Sequence, residues 1–181
     1  RLHPDAPLIA RADGAEEAQV ALEAGDLRSA RRKLQEARKL DPEHPALAGR
    51  FALYYDLSAR AAFQNGQESR ALLFWERSLE YEPENQATQI RLGDAYGRTG
   101  DHEKALEVLQ PLLESVPEDP LFYVAFARSL HATGDEELAL GILDKAAESA
   151  EANGNPEAAD RFREARRELE SSEQRASSPV P

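Results

Sequence analysis

An all-α architecture of stacked helical hairpins is predicted by three features: a glycine recurring in fixed register, a small and a large apolar residue that move with it, and prolines that punctuate the intervals. The glycines are Gly25, Gly66, Gly100 and Gly134, the last three 34 residues apart, and each precedes a turn-forming polar residue (Asp26, Gln67, Asp101, Asp135). Five residues after each glycine sits Ala30, Ala71, Ala105 or Ala139, and four further on comes Leu34, Trp75, Leu109 or Leu143. Pro42, Pro83 and Pro117 follow the first three glycines at a constant distance. A fixed period of this length marks units that cannot bury their apolar faces alone and must stack on one another.

Taken in order, the pattern predicts helices over 8–24, 27–40, 45–65, 67–81, 86–98, 101–115, 120–132, 135–150 and 156–172. Arg1 to Pro7 carries two prolines and reads as an extended lead-in, which the domain division sets at 1–10. Gly25-Asp26 separates the first two helices, and Pro42 stops the second, because proline cannot continue a helix that precedes it. The third helix is anomalous. Gly25 to Gly66 is seven residues longer than the period, and Gly49 is the one breaker between Leu47 and Asn65. Seven residues add about 10 Å of helix without much rotation of its buried face. The expectation is a lengthened helix packing on a degenerate first repeat; the alternative is a projecting end that docks a partner. Pro83 and Pro117 close the next two hairpins. Asp119-Pro120 and Asn155-Pro156 each read as an N-cap followed by proline at the first helical position. The last helix shows a narrow apolar stripe of Ala158/Ala159, Phe162, Ala165 and Leu169, suited to capping the array.

The third unit carries the fullest signature: Gln89-x-x-Leu92-Gly93-x-x-Tyr96, then Gly100, Ala105, Leu109 and Pro117. This resembles the tetratricopeptide repeat family, with Gln89 in place of the family's usual tryptophan. The fourth unit matches through Tyr123, Phe126, Ala127, Leu130 and Ala146, the second through Tyr55, Ser58, Ala59, Ala62 and Ser78. The first is degenerate in its leading helix, with Gly14, Glu17, Ala18 and Ala21. The resemblance implies a right-handed superhelical solenoid of about four hairpins plus a C-terminal capping helix. The expected division is an array over 11–152 (units 11–44, 52–85, 86–119 and 120–153, with a seven-residue insertion at 45–51), a capping helix over 155–172 and a disordered tail over 173–181.

Composition narrows the function classes. The balance of 22 basic against 34 acidic residues gives a formal charge of −12, a surface that repels a phosphate backbone and disfavours nucleic acid. No stretch approaches 18 consecutive apolar residues, so membrane insertion is not expected. The absence of cysteine removes disulfides and thiolate metal sites and leaves the compartment, cytoplasm or periplasm, open. Arginine dominates over lysine and alanine is abundant, which points to a GC-rich bacterial source. The sequence starts Arg1-Leu2-His3-Pro4 without methionine, as expected of an excised domain, a processed product or a trimmed chain.

No catalytic constellation stands out. His3, His44, His102 and His131 are scattered, none at the spacing that puts two ligands on one helix face. Gly93, Gly97 and Gly100 lack the Gly-Lys-Ser/Thr of a phosphate loop. The expectation is a non-catalytic scaffold or adaptor without cofactor or metal, whose partners are proteins or peptides.

The resemblance implies that the first helix of each hairpin lines a concave groove. Its ligand-facing positions transfer to Leu53, Asp56, Arg60 and Phe63 in the second unit, Ile90, Asp94 and Arg98 (with Arg91 alongside) in the third, and Val124, Arg128 and His131 in the fourth. Arginine forks favour carboxylates, so the expected ligand is a segment bearing acidic groups or a free C-terminus, with Phe63, Ile90 and Val124 giving apolar contact. The competing reading is that these arginines pair with their own helices' acids. The lysine-and-asparagine clamp of co-chaperones that grip heat-shock C-termini is not supplied: Asp56, Arg60, Arg91, Leu121 and Ala125 stand at those positions. A second basic patch, Arg28, Arg31, Arg32, Lys33 and Arg38, lies on the second helix of the first repeat. It reads either as a solvated face or as an end that meets an acidic surface (Glu103, Glu107, Glu114 or the C-terminal helix) of another copy. The alternatives to an adaptor are therefore a self-assembling structural module and an accessory domain of a larger bacterial enzyme or envelope protein.

Overall fold

The computed structural model describes residues 6–115 and 119–176, with side chains placed from 14 to 171 within those spans. The described residues are helical throughout, in chain order α1 (Ala6–Glu23), α2 (Leu27–Leu40), α3 (Ala46–Gln64), α4 (Glu68–Tyr81), α5 (Gln86–Thr99), α6 (His102–Leu109), a 3-10 turn (Gln110–Leu112), α7 (Pro120–Thr133), α8 (Glu136–Ala152) and α9 (Pro156–Ala176). Each recurring glycine has a left-handed φ, from +68° at Gly66 to +100° at Gly134, a conformation in which a Cβ would be strained. The following residue donates its N–H back across the turn, Asp26 to Ala21 O and Gln67 to Ala62 O at 2.9 Å, Asp101 to Tyr96 O and Asp135 to Leu130 O at 2.9 Å. That closes the carbonyls left open at each helix end. Asp26 accepts from Ser29 N at 3.0 Å, Asp119 from Leu121 N and Phe122 N, and Asn155 Oδ1 from Ala158 N at 3.1 Å. These bonds satisfy the orphan donors that open α2, α7 and α9.

The chain divides into two compact units, residues 1–88 and 89–181. In the first, the α1–α2 and α3–α4 hairpins enclose a core of Ala15, Ala18, Leu34, Ala37, Leu47 and Phe51. Leu47 and Phe51 belong to the extra turns of α3, so the insertion extends that helix and buries it on the first hairpin. Phe51 and Tyr55 both stack on Tyr81, with ring centroids 5.1 and 5.9 Å apart. In the second unit the core joins Ile90, Leu109, Phe122, Phe126, Leu130, Leu143 and Phe162. Gly93 permits the approach of α6 to α5: a Cβ there would stand 2.4 Å from Leu109 Cγ. The stripe of α9, Ala158, Ala159, Phe162, Ala165 and Leu169, is buried, and Phe162 meets Tyr123 edge to face at 5.7 Å.

Three expectations change. The lead-in set at 1–10 is helical from Ala6, because Pro7 falls in the first turn, where its missing N–H has no helical acceptor to lose; residues 1–5 lie outside the described residues. The helix expected over 101–115 ends at Leu109 and tightens into a 3-10 turn, since Pro111 cannot donate to the helical ladder. The tail set at 173–181 is helical to Ala176, Glu173-Gln174-Arg175-Ala176 being good helix formers that continue α9; residues 177–181 lie outside the described residues, as does Pro117.

Candidate partner-binding surfaces

In the first unit, α3 presents Leu53, Asp56, Arg60 and Phe63 at intervals of three or four residues. Leu53 is exposed, but Asp56 is buried. Its Oδ1 accepts a hydrogen bond from Trp75 Nε1 at 3.0 Å, and Phe63 packs on the same indole with centroids 5.5 Å apart. Arg60 lies 3.9 Å from Asp56 Oδ2, near enough to feel its charge, with half of its side chain open to solvent.

In the second unit, Asp94 of α5 is buried between two guanidinium groups. Its Oδ2 lies 3.8 Å from Arg98 and its Oδ1 3.5 Å from Arg128 of α7. No hydrogen bond to Asp94 is found among the described residues. Burial pushes its carboxyl above the usual range, and Arg98 and Arg128 pull it partly back. Arg128 remains 38% exposed along its side chain, and Arg91 and His131 are half-buried. Ile90 corrects the expectation. At 3% exposure it faces the core with Phe122 and Ala125, and Val124 packs partly buried against the same cluster. Apolar residues at helical spacing here serve the fold, so Ile90 offers a ligand no surface. The sequence could not separate the two uses, because one helix face passes continuously from core to solvent.

The basic patch is also divided. Lys33 is ion-paired with Glu17 of α1 and lies 3.9 Å from Glu36. Arg38 sits 5.0 Å above the Phe51 ring and donates to Tyr81 Oη at 3.4 Å. Arg28 and Arg31 turn instead toward α4, where Arg70 and Arg77 complete a cleft over Tyr54 and Phe74. Sequence reasoning missed these α4 arginines. Their seven-residue spacing, matching that of Arg31 and Arg38, was the available signal.

Among the described residues no group of His, Asp and Glu side chains is arranged to hold a metal ion, and no helix is long and apolar enough to cross a membrane. Family models described as tetratricopeptide repeat match residues 16–56 and 62–123. No curated protein matches the chain. Similar solved structures include a MamA structure designated AMB-1 (19% identity, 95% of each chain covered, TM-score 0.53). Another is residues 41 to the end of MamA from Desulfovibrio magneticus RS-1 (19% identity, covering 90% of this chain and 96% of that one, TM-score 0.53). A third, MamA MSR-1, shares 18% identity over 91% of this chain and 99% of its own, with a TM-score of 0.52. At these identities the likeness is one of fold.

Proposed function

Because the chain belongs to the tetratricopeptide repeat family, we propose that it is a non-catalytic protein-binding scaffold whose leading helices take an acidic segment or a free C-terminus. The observation that carries this reading is the Asp94 cluster. One buried carboxylate stands among two arginines at ion-pair distances beyond 3.4 Å, and the partly exposed Arg128 has no second acidic partner among the described residues. A ligand carboxylate reaching Arg128 would gain a charge-assisted, fork-shaped contact while Asp94 keeps the guanidinium in place. Arg60, tethered in the same way to Asp56, offers the equivalent contact in the first unit. Leu53 adds apolar surface there.

The test is fluorescence anisotropy with labelled Asp/Glu-rich peptides, each with a free and an amidated C-terminus. Binding should weaken as salt rises and fall about tenfold or more in Arg91→Glu/Arg128→Glu, as expected for reversing charges at a contact. Unchanged affinity in that variant rejects the reading.

A further inference from the structure

Two adjoining cavities, about 370 and 700 Å³, share Arg31, Tyr54, Arg70 and Phe74 and form one trough in the first unit. Its walls are α2 and α4, and its floor is α3. The charge along it is graded. The end near the start of α4 is lined by Arg28, Arg31 and Arg70, none of which makes an ion pair among the described residues. The far end mixes Arg38 and Arg77 with Glu76 and Glu80. Between them Leu73 stands 59% exposed beside Phe74. Helical walls offer an incoming segment no free backbone donors, so the occupant must satisfy its own backbone, as a helix does.

One helix of this chain carries the matching gradient. α8 opens with Asp135, Glu136 and Glu137, continues with Leu138 (54% exposed), Gly141 and Ile142, and then presents Lys145 on the same shallow depression. A Cβ built on Gly141 would meet nothing within 4 Å, which leaves room there for a side chain from outside. α9, another acidic helix, spends its charge on internal pairs, Arg161 with Glu157 and Arg166 with Glu170 and with Asp144 of α8.

We propose that the trough between α2 and α4 receives the first turns of α8 from a second copy of the chain, with α8 running parallel to α4. The acidic start of α8 then meets Arg31 and Arg70. Leu138 and the Gly141 depression meet Leu73, and Lys145 reaches the acidic end of the trough, joining Arg77 beside Glu80. The contact joins two different surfaces, so each copy keeps one free trough and one free α8, and assembly continues head to tail or closes a ring. It uses neither Arg60 nor Arg128, so it stands or falls independently of peptide binding.

Sedimentation velocity of the whole chain over a concentration series provides the test, at low ionic strength and at about 0.15 M salt. The unmodified chain should self-associate and do so less as salt rises. Arg31→Glu/Arg70→Glu and, separately, Glu137→Arg/Leu138→Arg should each weaken association about tenfold or more, with circular dichroism unchanged. Leu73→Arg, at an exposed position, is the substitute should the double trough variant fail to fold. Mixing Leu73→Arg with the α8 variant is the sharpest arm, because both altered surfaces are then basic and cannot pair with each other. One retains a native α8 and the other a native trough, so together they should form a dimer that grows no further. A chain that stays monomeric at the highest concentration in low salt overturns the proposal. So does association that survives in either variant, or a mixture that stays monomeric.

Discussion

Each unit buries an aspartate in the leading helix of a hairpin, and each stabilises it by a different route. Asp56 has a neutral donor, the indole of Trp75, nine residues past the turn glycine. In the second unit that register position holds Leu109, which donates nothing, and its side chain instead descends onto Gly93. The position equivalent to Gly93 in the first unit is Ala59, which is fully buried with its methyl in place. Asp94 is thus left with Arg98 and Arg128, which act through charge at 3.8 and 3.5 Å. An indole N–H fixes a carboxylate in one geometry, whereas guanidinium groups at such distances are restrained in position yet able to turn toward a third party. Both aspartates are equally buried; the first is fixed by the packing, and the second holds two arginines that reach the surface.

The difference can be broken most severely at Trp75. Trp75→Ala should cost about 3–5 kcal/mol in urea unfolding, combining a large cavity with loss of the indole donor to Asp56. Trp75→Phe, which keeps most of the ring, should still cost about 1–3 kcal/mol for the lost indole hydrogen bond to a buried carboxylate. Adding Asp56→Asn should recover part of that loss; no recovery would mean that the indole hydrogen bond is not what holds Asp56. In the second unit, Gly93→Ala should cost about 1–3 kcal/mol by overpacking Leu109, read from the urea midpoint.

Asp94 provides a pH test. Its carboxyl is raised above its ordinary value of 3.8, chiefly by burial. The native state therefore holds this proton more tightly than the unfolded chain. The group's contribution to stability is complete below about pH 3.8 and is lost as pH rises through the raised native value. Asp94→Asn cannot ionise, so its stability minus that of the unmodified protein should grow between about pH 3.5 and pH 7. A flat difference would refute the desolvation argument. The smallest effect belongs to Arg128→Gln. With its side chain partly in water it should cost under about 1 kcal/mol while moving the Asp94 titration, followed by carboxyl NMR, further upward. A shift downward would contradict the pairing.

The repeat made most of this fold readable. Gly25, Gly66, Gly100 and Gly134 placed the turns because a left-handed residue favours glycine, and Asp119 and Asn155 placed helix starts because their side chains cap. The stop at Pro111 is not legible from the repeat, because the apolar period runs straight through it and period says nothing about a missing donor. The candidate site was less legible. Asp56, Asp94 and Arg128 fell at the right register, but whether a polar residue is satisfied depends on a partner some twenty or thirty residues away. The two-sided trough needed α4 placed opposite α2, and no local pattern holds that information.

The lengthened α3 has a consequence for how the first unit comes apart. Its early turns, through Leu47 and Phe51, lie in the core of the preceding hairpin, while its later turns bear the indole-bonded Asp56 of its own. In a linear array, stability divides into each repeat's own share and the coupling between neighbours. A helix common to two hairpins makes that coupling covalent as well as packed. Amide protons of α2 and of α4 should accordingly exchange with a single opening free energy, and terminal fraying of the first hairpin by itself should be suppressed.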